Sequence, residues 1–175
     1  DMRLDEFDDI GHPLLQQLSE RAPGTYQHTL AVARLSEAAA KAIGANALLA
    51  KVGALFHDIG KLEKSEYFVE NQIDIDNKHD KLPPKKSASI IRQHVQDGIE
   101  LARSYRLPER IWTFIPKHHG TMLIKHFYAR ALDESLLKDA VIDEQDYRYP
   151  GPKPDSRETA IVMLADAAEA LSRLV

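Results

Sequence analysis

Gly53-Ala54-Leu55-Phe56-His57-Asp58-Ile59-Gly60-Lys61 is the segment in which an apolar run of this chain meets an adjacent histidine–aspartate pair. The apolar residues that precede the pair have the spacing of a core-facing helix: Leu48, Leu49, Val52, Leu55 and Phe56. A carboxylate buried without a partner at the end of such a helix costs several kcal/mol. We therefore expect a cation beside Asp58.

A second histidine–aspartate pair, His79-Asp80, has different neighbours. Lys78, Lys81 and Pro83-Pro84 flank it. This polar, proline-containing context predicts a loop in which solvent satisfies both side chains. We expect His79 to lie outside any buried site.

Length and composition predict one soluble globular domain. The chain has 175 residues, of which 43% are hydrophobic and 29% are charged, and this length suffices for a single core over residues 1–175. No apolar run approaches the roughly 20 residues that cross a bilayer, and no charged-then-apolar leader opens the sequence. We therefore expect no insertion of these residues into a membrane.

Cysteine content and charge restrict the possible ligands. The sequence has no cysteine, which suits a reducing compartment and limits metal ligands to histidine and carboxylate. The formal net charge of −4 gives no overall attraction for a nucleic acid polymer. The lysines at 78, 81, 85 and 86 form only a local basic patch, so a small anionic ligand fits the charge pattern better.

The order of apolar patterns predicts an all-α fold, a helical bundle of about six to eight helices. A lead-in helix falls within residues 1–22, and residues 62–86 form a loop insertion near the candidate site. The remaining predicted helices cover Leu30 to Ile43, a segment from Asn46 to Asp58, Ser87 to Tyr105, a segment from Pro108 to His119, Met122 to Leu132, and a last helix capped by Asp155 with Glu158. Pro116 should kink or shorten its helix. No segment alternates as a strand does.

Seven polar residues fall on inward helix faces or at the ends of apolar helices. His28, for example, shares a predicted face with Ala31, Leu35 and Ala39. A single inward histidine is most often a hydrogen-bonded core residue, so no one position decides the matter. If all of them were core residues, however, each would need its own hydrogen-bond partner, whereas one cluster of cations satisfies all of them. The seven candidates are His28, His57, Asp58, His94, His118, His119 and Asp166.

Seven ligands exceed what one ion with an open coordination position takes, so we expect two. With Asp58 as the bridge, one ion takes His28, His57 and Asp166, and the other takes the three remaining histidines. The donor set suits manganese, iron or zinc better than magnesium or calcium. Water between two such ions loses a proton near neutral pH and becomes a nucleophile for phosphorus.

The order of these residues resembles the HD-domain metal-dependent phosphohydrolases that hold two metals. The resemblance is closer to the intracellular HD domain of seven-transmembrane bacterial receptors, the PgpH-like cyclic-di-AMP phosphodiesterases. The segments that carry it are Ala22-Pro23-Gly24-Thr25-Tyr26, His57-Asp58-Ile59-Gly60-Lys61, Glu70-Asn71-Gln72, His118-His119-Gly120-Thr121, Tyr149-Pro150-Gly151-Pro152-Lys153-Pro154 and Met163-Leu164-Ala165-Asp166. They span nearly the whole chain.

The resemblance implies an all-helical fold, two divalent transition-metal ions (manganese or iron), and hydrolysis of cyclic-di-AMP to linear pApA by a metal-bridging hydroxide. It also implies a cytoplasmic domain of a membrane-anchored bacterial receptor, which would reach the membrane only through segments outside this sequence. Two departures affect local shape: Asn77-Lys78 lacks an expected proline, and Pro116 precedes the double histidine. Gly120-Thr121-Met122 stands where cyclic-di-GMP enzymes of the related HD-GYP group carry Gly-Tyr-Pro.

Four residues are candidates for contact with substrate. Lys61 would offset the negative charge of the transition state, although a cation favouring the helix dipole is an equally good interpretation. Thr121, Lys125 and Tyr128 follow the double histidine closely enough to line a cleft, while helix packing explains Tyr128 equally well. The alternatives to a cyclic-dinucleotide phosphodiesterase are an HD phosphohydrolase of mononucleotides and a sensor domain that binds the dinucleotide without cleaving it. The oligomeric state stays open.

Overall fold

The computed structural model describes residues 3–74, 76–138 and 140–174, and this part of the chain is all-α, as predicted. Eight α-helices, two of them single turns, occur in these residues: α1 (Pro13–Arg21), α2 (Pro23–Ala42), α3 (Ala47–Phe56), α4 (Pro84–Ser104), α5 (Glu109–Trp112), α6 (Phe114–Lys117), α7 (Lys125–Lys138) and α8 (Arg157–Ser172). Short 3-10 segments connect them: Leu4–Phe7, Ile59–Tyr67, Val69–Asn71, Lys78–Lys81 and Glu144–Tyr147. Within the same residues, no helix has the length and apolarity to cross a membrane.

Helices α2, α3 and α8 pack against one another and form the centre of the molecule. Helix α1 closes one side of the core with Leu14, Leu15 and Leu18, all fully buried, and it ends at Arg21, within the predicted lead-in segment. Asn46 caps α3 by accepting a hydrogen bond from the Leu49 amide, so the helix that leads to the His57-Asp58 pair begins where the sequence predicts.

Helix α2 differs from the prediction at its start and in its inward face. The sequence predicts that Pro23-Gly24-Thr25 breaks the chain and caps the helix that contains the alanine-rich Leu30 to Ile43, whereas the helix already begins at Pro23, because proline suits the first helical position. The predicted face through Leu35 is exposed, and the buried face instead contains Val32 and Ser36. An alanine-rich helix has little contrast in hydrophobicity between its faces, so the pattern could not fix the rotation. His28 is nevertheless buried.

The start of α2 is completed by a residue far away in the sequence. The Asn71 side chain accepts a hydrogen bond from the Thr25 amide at 2.9 Å and donates to the Thr25 hydroxyl at 2.9 Å. Gly24 permits this contact, since a Cβ there would lie 1.8 Å from the carbonyl oxygen of Glu70. Two of the sequence segments described above therefore form one structural unit.

Helix α8 is capped by Ser156 and not by Asp155. Ser156 and Thr159 form a reciprocal capping box, because a hydroxyl at the first position and another three residues later satisfy two free amide groups. Glu158, the predicted partner in the box, instead accepts a hydrogen bond from the Asn46 amide at 2.8 Å. That bond ties the beginning of α8 to the beginning of α3.

The predicted loop of residues 62–86 contains 3-10 segments, and α4 begins at Pro84, ahead of the predicted Ser87. The prediction that solvent satisfies His79 is wrong, because its side chain is buried. The His79 ring packs against Phe127, with centroids 5.0 Å apart, and its Nε2 bonds the carbonyl oxygen of Tyr67 at 2.8 Å. The apolar partner comes from α7, which local sequence context around the pair could not show.

A crossing of two glycines holds the segment after Asp58 against α4. A Cβ on Gly60 would lie 1.7 Å from the carbonyl oxygen of His94, and a Cβ on Gly98 would lie 3.3 Å from the Gly60 nitrogen. Only glycine allows main chains to approach so closely. The crossing therefore fixes the distance between the His57-Asp58 pair and His94.

Pro116 has the predicted effect on its helix. The segment after Pro108 forms two single turns, α5 and α6, instead of one continuous helix. Helix α7 then begins at Lys125, later than the predicted Met122. His118 and His119 follow the end of α6 directly.

Candidate metal centre

Seven residues from distant parts of the sequence meet in one cluster. They form two groups that share Asp58, and the ligand atoms of each group lie within 4.8 Å of one another. One group contains His28, His57, Asp58 and Asp166, and the other contains Asp58, His94, His118 and His119. The structure thus brings together every residue that the sequence proposed as a metal ligand, in the same two sets.

Asp58 stands between the two groups, with one carboxylate oxygen facing each. Its Oδ1 lies 3.5 Å from His94 Nε2 and 3.3 Å from His118 Nε2. Its Oδ2 lies 3.6 Å from His28 Nε2 and 3.3 Å from His57 Nε2. A carboxylate so placed has the geometry of a bridging ligand.

Three of the histidines are oriented by the main chain of their own helical turn. The Nδ1 atoms of His57, His94 and His118 lie 2.6, 2.5 and 2.6 Å from the carbonyl oxygens three residues earlier in the sequence. An Nδ1–H that donates to a carbonyl leaves the Nε2 lone pair free for a metal. The main chain of each helical turn therefore fixes both the tautomer and the direction of the ring.

His28 is oriented differently, by two carboxylates of α8. Its Nε2 lies 2.8 Å from Asp166 Oδ1, and its Nδ1 contacts a carboxylate oxygen of Glu169. Glu169 is not among the site residues predicted from the sequence. The available signal was its position three residues after Asp166, which places both carboxylates on one face of the helix.

His119 is held by an aromatic ring that sequence analysis also missed as a site residue. The Tyr149 ring stacks on the imidazole with a centroid separation of 4.1 Å and an interplanar angle of 15°. The Nδ1 of His119 lies 3.9 Å from Asp166 Oδ2. Burial raises the pKa of the Tyr149 hydroxyl above its usual range, so this ring stays neutral beside the cluster.

The cluster fits metal ions by two physical criteria. Among the described residues, His57 Nε2 and Asp58 Oδ1 are buried without a hydrogen-bond partner, a costly arrangement unless a cation satisfies them. Asp58 Oδ2 faces the Lys61 ammonium at 3.0 Å. Ligand atoms that lie about 2.1 Å from one ion at right angles are about 3.0 Å apart. The separations around Asp58, 3.3 to 3.6 Å, are close to that value.

Electrostatics differ between the two groups. Burial lowers the pKa of His57, but the carboxylates of Asp58 and Asp166 outweigh it and raise the pKa to about 10. Burial likewise raises the pKa of the Asp58 carboxyl, yet Lys61 and His57 hold it well below its usual range. In the other group, burial lowers the pKa of His94 to about 4. Without metal, these shifts favour the positively charged imidazolium for His57 and the neutral imidazole, with its proton on Nδ1, for His94 at neutral pH.

Lys61 belongs to the cluster and not to the end of α3. Its Nζ lies 3.0 Å from Asp58 Oδ2 and 2.7 Å from Glu70 Oε1. Burial lowers the pKa of Lys61, but Asp58 and Glu70 outweigh burial and raise it above its usual range. Glu70 also accepts a hydrogen bond from the Thr25 hydroxyl at 3.0 Å. An ion-pair network thus connects the start of α2 to the centre of the cluster.

The other three candidate substrate residues differ in exposure and in their contacts. Thr121 is half-buried, and its carbonyl accepts a hydrogen bond from Arg148 at 3.0 Å. Lys125 is exposed at the first position of α7. Tyr128 packs against Tyr147, with ring centroids 5.6 Å apart, in a small apolar cluster between α4 and α7. This packing is the alternative that the sequence left open for Tyr128.

Solvent reaches only part of the cluster. The side chains of His28, His57, Asp58, His94 and His118 are at most 3% exposed, whereas those of Lys61 and Asp166 are 13% and that of His119 is 18% exposed. A ligand would therefore meet the cluster at these last three side chains. An open cleft of about 460 Å³ lies against Gly120, the residue after His119, and against Thr121 and Lys153.

Comparisons with known proteins show what this chain is similar to. The sequence profile described as HD domain matches residues 25–171. The chain is 49% identical over 172 residues to the cyclic-di-AMP phosphodiesterase PgpH of Bacillus subtilis, and 45% identical over 171 residues to that of Listeria monocytogenes. Each alignment covers 98% of this chain, and the chain spans 24% and 23% of the two relatives. The crystal structure of the L. monocytogenes PgpH HD domain in complex with cyclic-di-AMP superposes with a TM-score of 0.89 at 44% identity, covering 95% of this chain and 76% of that chain.

Proposed function

The chain belongs to the HD domain family, and from that premise we propose that it is a two-metal phosphodiesterase that hydrolyses cyclic-di-AMP to linear pApA. The two relatives named as cyclic-di-AMP phosphodiesterases and the solved complex with cyclic-di-AMP support this choice of substrate. The chain spans about a quarter of the length of those curated relatives. We propose that it acts as the cytoplasmic part of a longer bacterial protein that is anchored in a membrane.

One observation carries the two-metal proposal: the two oxygens of Asp58 face separate sets of imidazole nitrogens at 3.3 to 3.6 Å. A buried carboxylate with both oxygens directed at ligand groups satisfies two ions at once. The histidine and carboxylate donors favour manganese or iron over magnesium or calcium. When bound, two such ions activate water and withdraw charge from phosphoryl oxygens.

The protein residues around the ions supply position and charge. Lys61 carries a full positive charge at the solvent side of Asp58, where it offsets negative charge that develops on phosphorus. Glu70 holds the Lys61 ammonium group in that position. Tyr149 keeps the His119 ring in one plane by stacking.

The remaining substrate contacts are proposals on the solvent side of the cluster. Thr121 borders the cleft beside the double histidine, and Lys125, exposed at the start of α7, offers a positive charge to the dinucleotide. Tyr128 lines this region through its packing on Tyr147, and the edge of its ring would contact an adenine base of the dinucleotide that lies against α7.

The base pocket offers few free groups for a guanine. Glu70 is bonded to Lys61 and Thr25, and Glu66 is paired with Lys78 at 3.1 Å. An unpaired carboxylate is the group that a guanine edge would need. Glu63, in the same segment, is exposed, so the choice of adenine is supported by the relatives and by the solved complex with cyclic-di-AMP.

Metal analysis together with product identification tests the proposal. We expect close to two ions per chain after reconstitution with Mn²⁺, and pApA as the product of cyclic-di-AMP. The kcat/KM for cyclic-di-AMP should exceed that for cyclic-di-GMP at least about tenfold, which corresponds to about 1.4 kcal/mol in transition-state binding. A mononucleotide and an oligoribonucleotide serve as comparison substrates.

Each alternative has its own result in this assay. Faster hydrolysis of the mononucleotide than of cyclic-di-AMP would identify a mononucleotide as the substrate. Saturable binding of cyclic-di-AMP with no product in the presence of Mn²⁺ would indicate a sensor domain. One ion per chain, or none, would contradict the two-metal centre.

A further inference from the structure

The second nitrogen of His28 has a different partner from those of the other three oriented histidines. The rings of His57, His94 and His118 donate to neutral main-chain carbonyls. The Nδ1 of His28 instead contacts the carboxylate of Glu169. A histidine that donates to a carboxylate is a more basic metal ligand than one that donates to a carbonyl.

Glu169 is placed for this contact by α8. It lies one turn after Asp166, so the two carboxylates contact the two nitrogens of the same ring. Its side chain is 12% exposed, and the oxygen that contacts His28, Oε2, also lies 3.2 Å from the Arg173 guanidinium near the end of the helix. Glu169 is therefore mostly buried, and its principal partner toward the interior is His28.

The two groups of ligands consequently differ in charge. The group of His28 and His57 has Asp166 as a ligand and Glu169 behind it, in addition to its share of Asp58. The group of His94, His118 and His119 has only its share of Asp58. Two cations lie near the first group, and each is paired with a carboxylate: Lys61 with Glu70 and Arg173 with Glu169. Asp166 is therefore the ligand by which the charge of the two groups differs, and Glu169 acts on the His28 ring that it contacts.

We propose that Glu169 is a positioning residue for His28 and makes the metal position of His28, His57, Asp58 and Asp166 the tighter of the two. This inference rests on the proposed two-metal centre. It assigns no contact between Glu169 and substrate. The carboxylate acts through His28, by fixing the ring and by strengthening its bond to the ion.

Calorimetric titration of the metal-free chain with Mn²⁺ alone tests the proposal. The wild-type chain should bind two ions in two resolved steps. Glu169→Gln keeps a hydrogen-bond acceptor but removes the charge, and we expect it to weaken the tighter step at least about tenfold. The weaker step should change less than about twofold. Glu169→Ala should weaken the tighter step further, because the ring also loses its acceptor.

Three variants complete the design. Glu37→Gln removes a carboxylate from the surface of α2, where it pairs with Lys41 at 2.7 Å, and should leave both steps unchanged. His94→Ala removes a ligand of the other position, so its remaining step should be the tight one and should stay sensitive to Glu169→Gln. Glu169→Asp, which keeps the charge on a shorter side chain, takes the place of Glu169→Gln if that variant does not fold. It should weaken the tighter step by less than Glu169→Ala does. Circular dichroism of each metal-free variant checks helical content.

The failures of the two proposals are distinguishable. A wild-type chain that binds fewer than two ions would contradict the metal centre itself. In the other outcomes the wild type binds two ions, while Glu169→Gln weakens neither step, weakens both equally, or weakens only the weaker step. Each of these results would overturn the role of Glu169 and leave the metal centre intact.

Discussion

Replacement of Asp58 by alanine should be the most damaging single change in the cluster. Its two oxygens lie 3.3 to 3.6 Å from four imidazole nitrogens, so both ions lose a ligand and the connection between them. Loss of a second-sphere partner alone costs about 10- to 100-fold in metal affinity or activity. We therefore expect Asp58→Ala to lower kcat/KM by at least about 10³-fold, or roughly 4 kcal/mol.

The same change has a smaller effect on folding without metal. Lys61 loses one partner but keeps Glu70 at 2.7 Å, so its charge is not left alone. We expect a cost of about 1–3 kcal/mol, and each kcal/mol lowers the melting temperature by about 2–4 °C in a chain of this size. A melting curve of the metal-free variant separates this effect from the loss of the ions.

The assay compares Asp58→Ala with Asp80→Ala. Asp80 belongs to the other histidine–aspartate pair and is exposed, so its replacement is a matched control for loss of a carboxylate. Mn²⁺ content and hydrolysis of cyclic-di-AMP are measured for both variants. Near-normal turnover of Asp58→Ala, or equal losses in the two variants, would refute the bridging role.

Three further predictions concern the surroundings of the ions. Glu70→Gln should lower kcat about tenfold while metal content stays at the wild-type value, because Lys61 loses a charged partner at 2.7 Å and no ion loses a ligand; a loss of metal would contradict this. His79→Ala should leave the Mn²⁺ content unchanged and lower the free energy of unfolding by about 1–3 kcal/mol through the lost contact with Phe127, and denaturant titration measures this; loss of metal in this variant would show that the cluster is incomplete. Burial lowers the pKa of His57, but Asp58 outweighs burial and raises the pKa to about 10. This proton therefore stabilises the metal-free chain at acidic and neutral pH, and that contribution is lost as pH rises through about 10. Because Mn²⁺ must displace the proton, calorimetry in buffers of different ionisation enthalpy should detect about one proton released from this ring at pH 7, and Mn²⁺ should bind more tightly as pH rises.

The clustering of the seven proposed metal ligands was predictable because each is a polar residue within or at the end of an apolar pattern. Such a residue needs a partner whatever the details of the fold, so the residue list does not depend on exact helix bounds. His28 is the exception to this reasoning: the face of α2 on which it was predicted to point inward is exposed at Leu35, yet His28 itself is buried.

What the sequence did not reveal are contacts between segments. Glu169 looks like an ordinary surface residue of an amphipathic helix until α2 packs against α8. His79 is surrounded in sequence by charged residues, and the ring that buries it comes from α7. The tight crossing at Gly60 and the cap provided by Asn71 are also long-range contacts, which local pattern cannot encode.

The cap at the start of α2 also couples local opening of the chain to the charge beside the cluster. The Thr25 amide hydrogen is bonded to Asn71, and the preceding residue, Glu70, is bonded to Lys61. Departure of this short segment from α2 would free the amide for exchange with solvent and release the lysine at the same moment. The rate of hydrogen exchange at one amide, Thr25, therefore reports how often Lys61 loses its support.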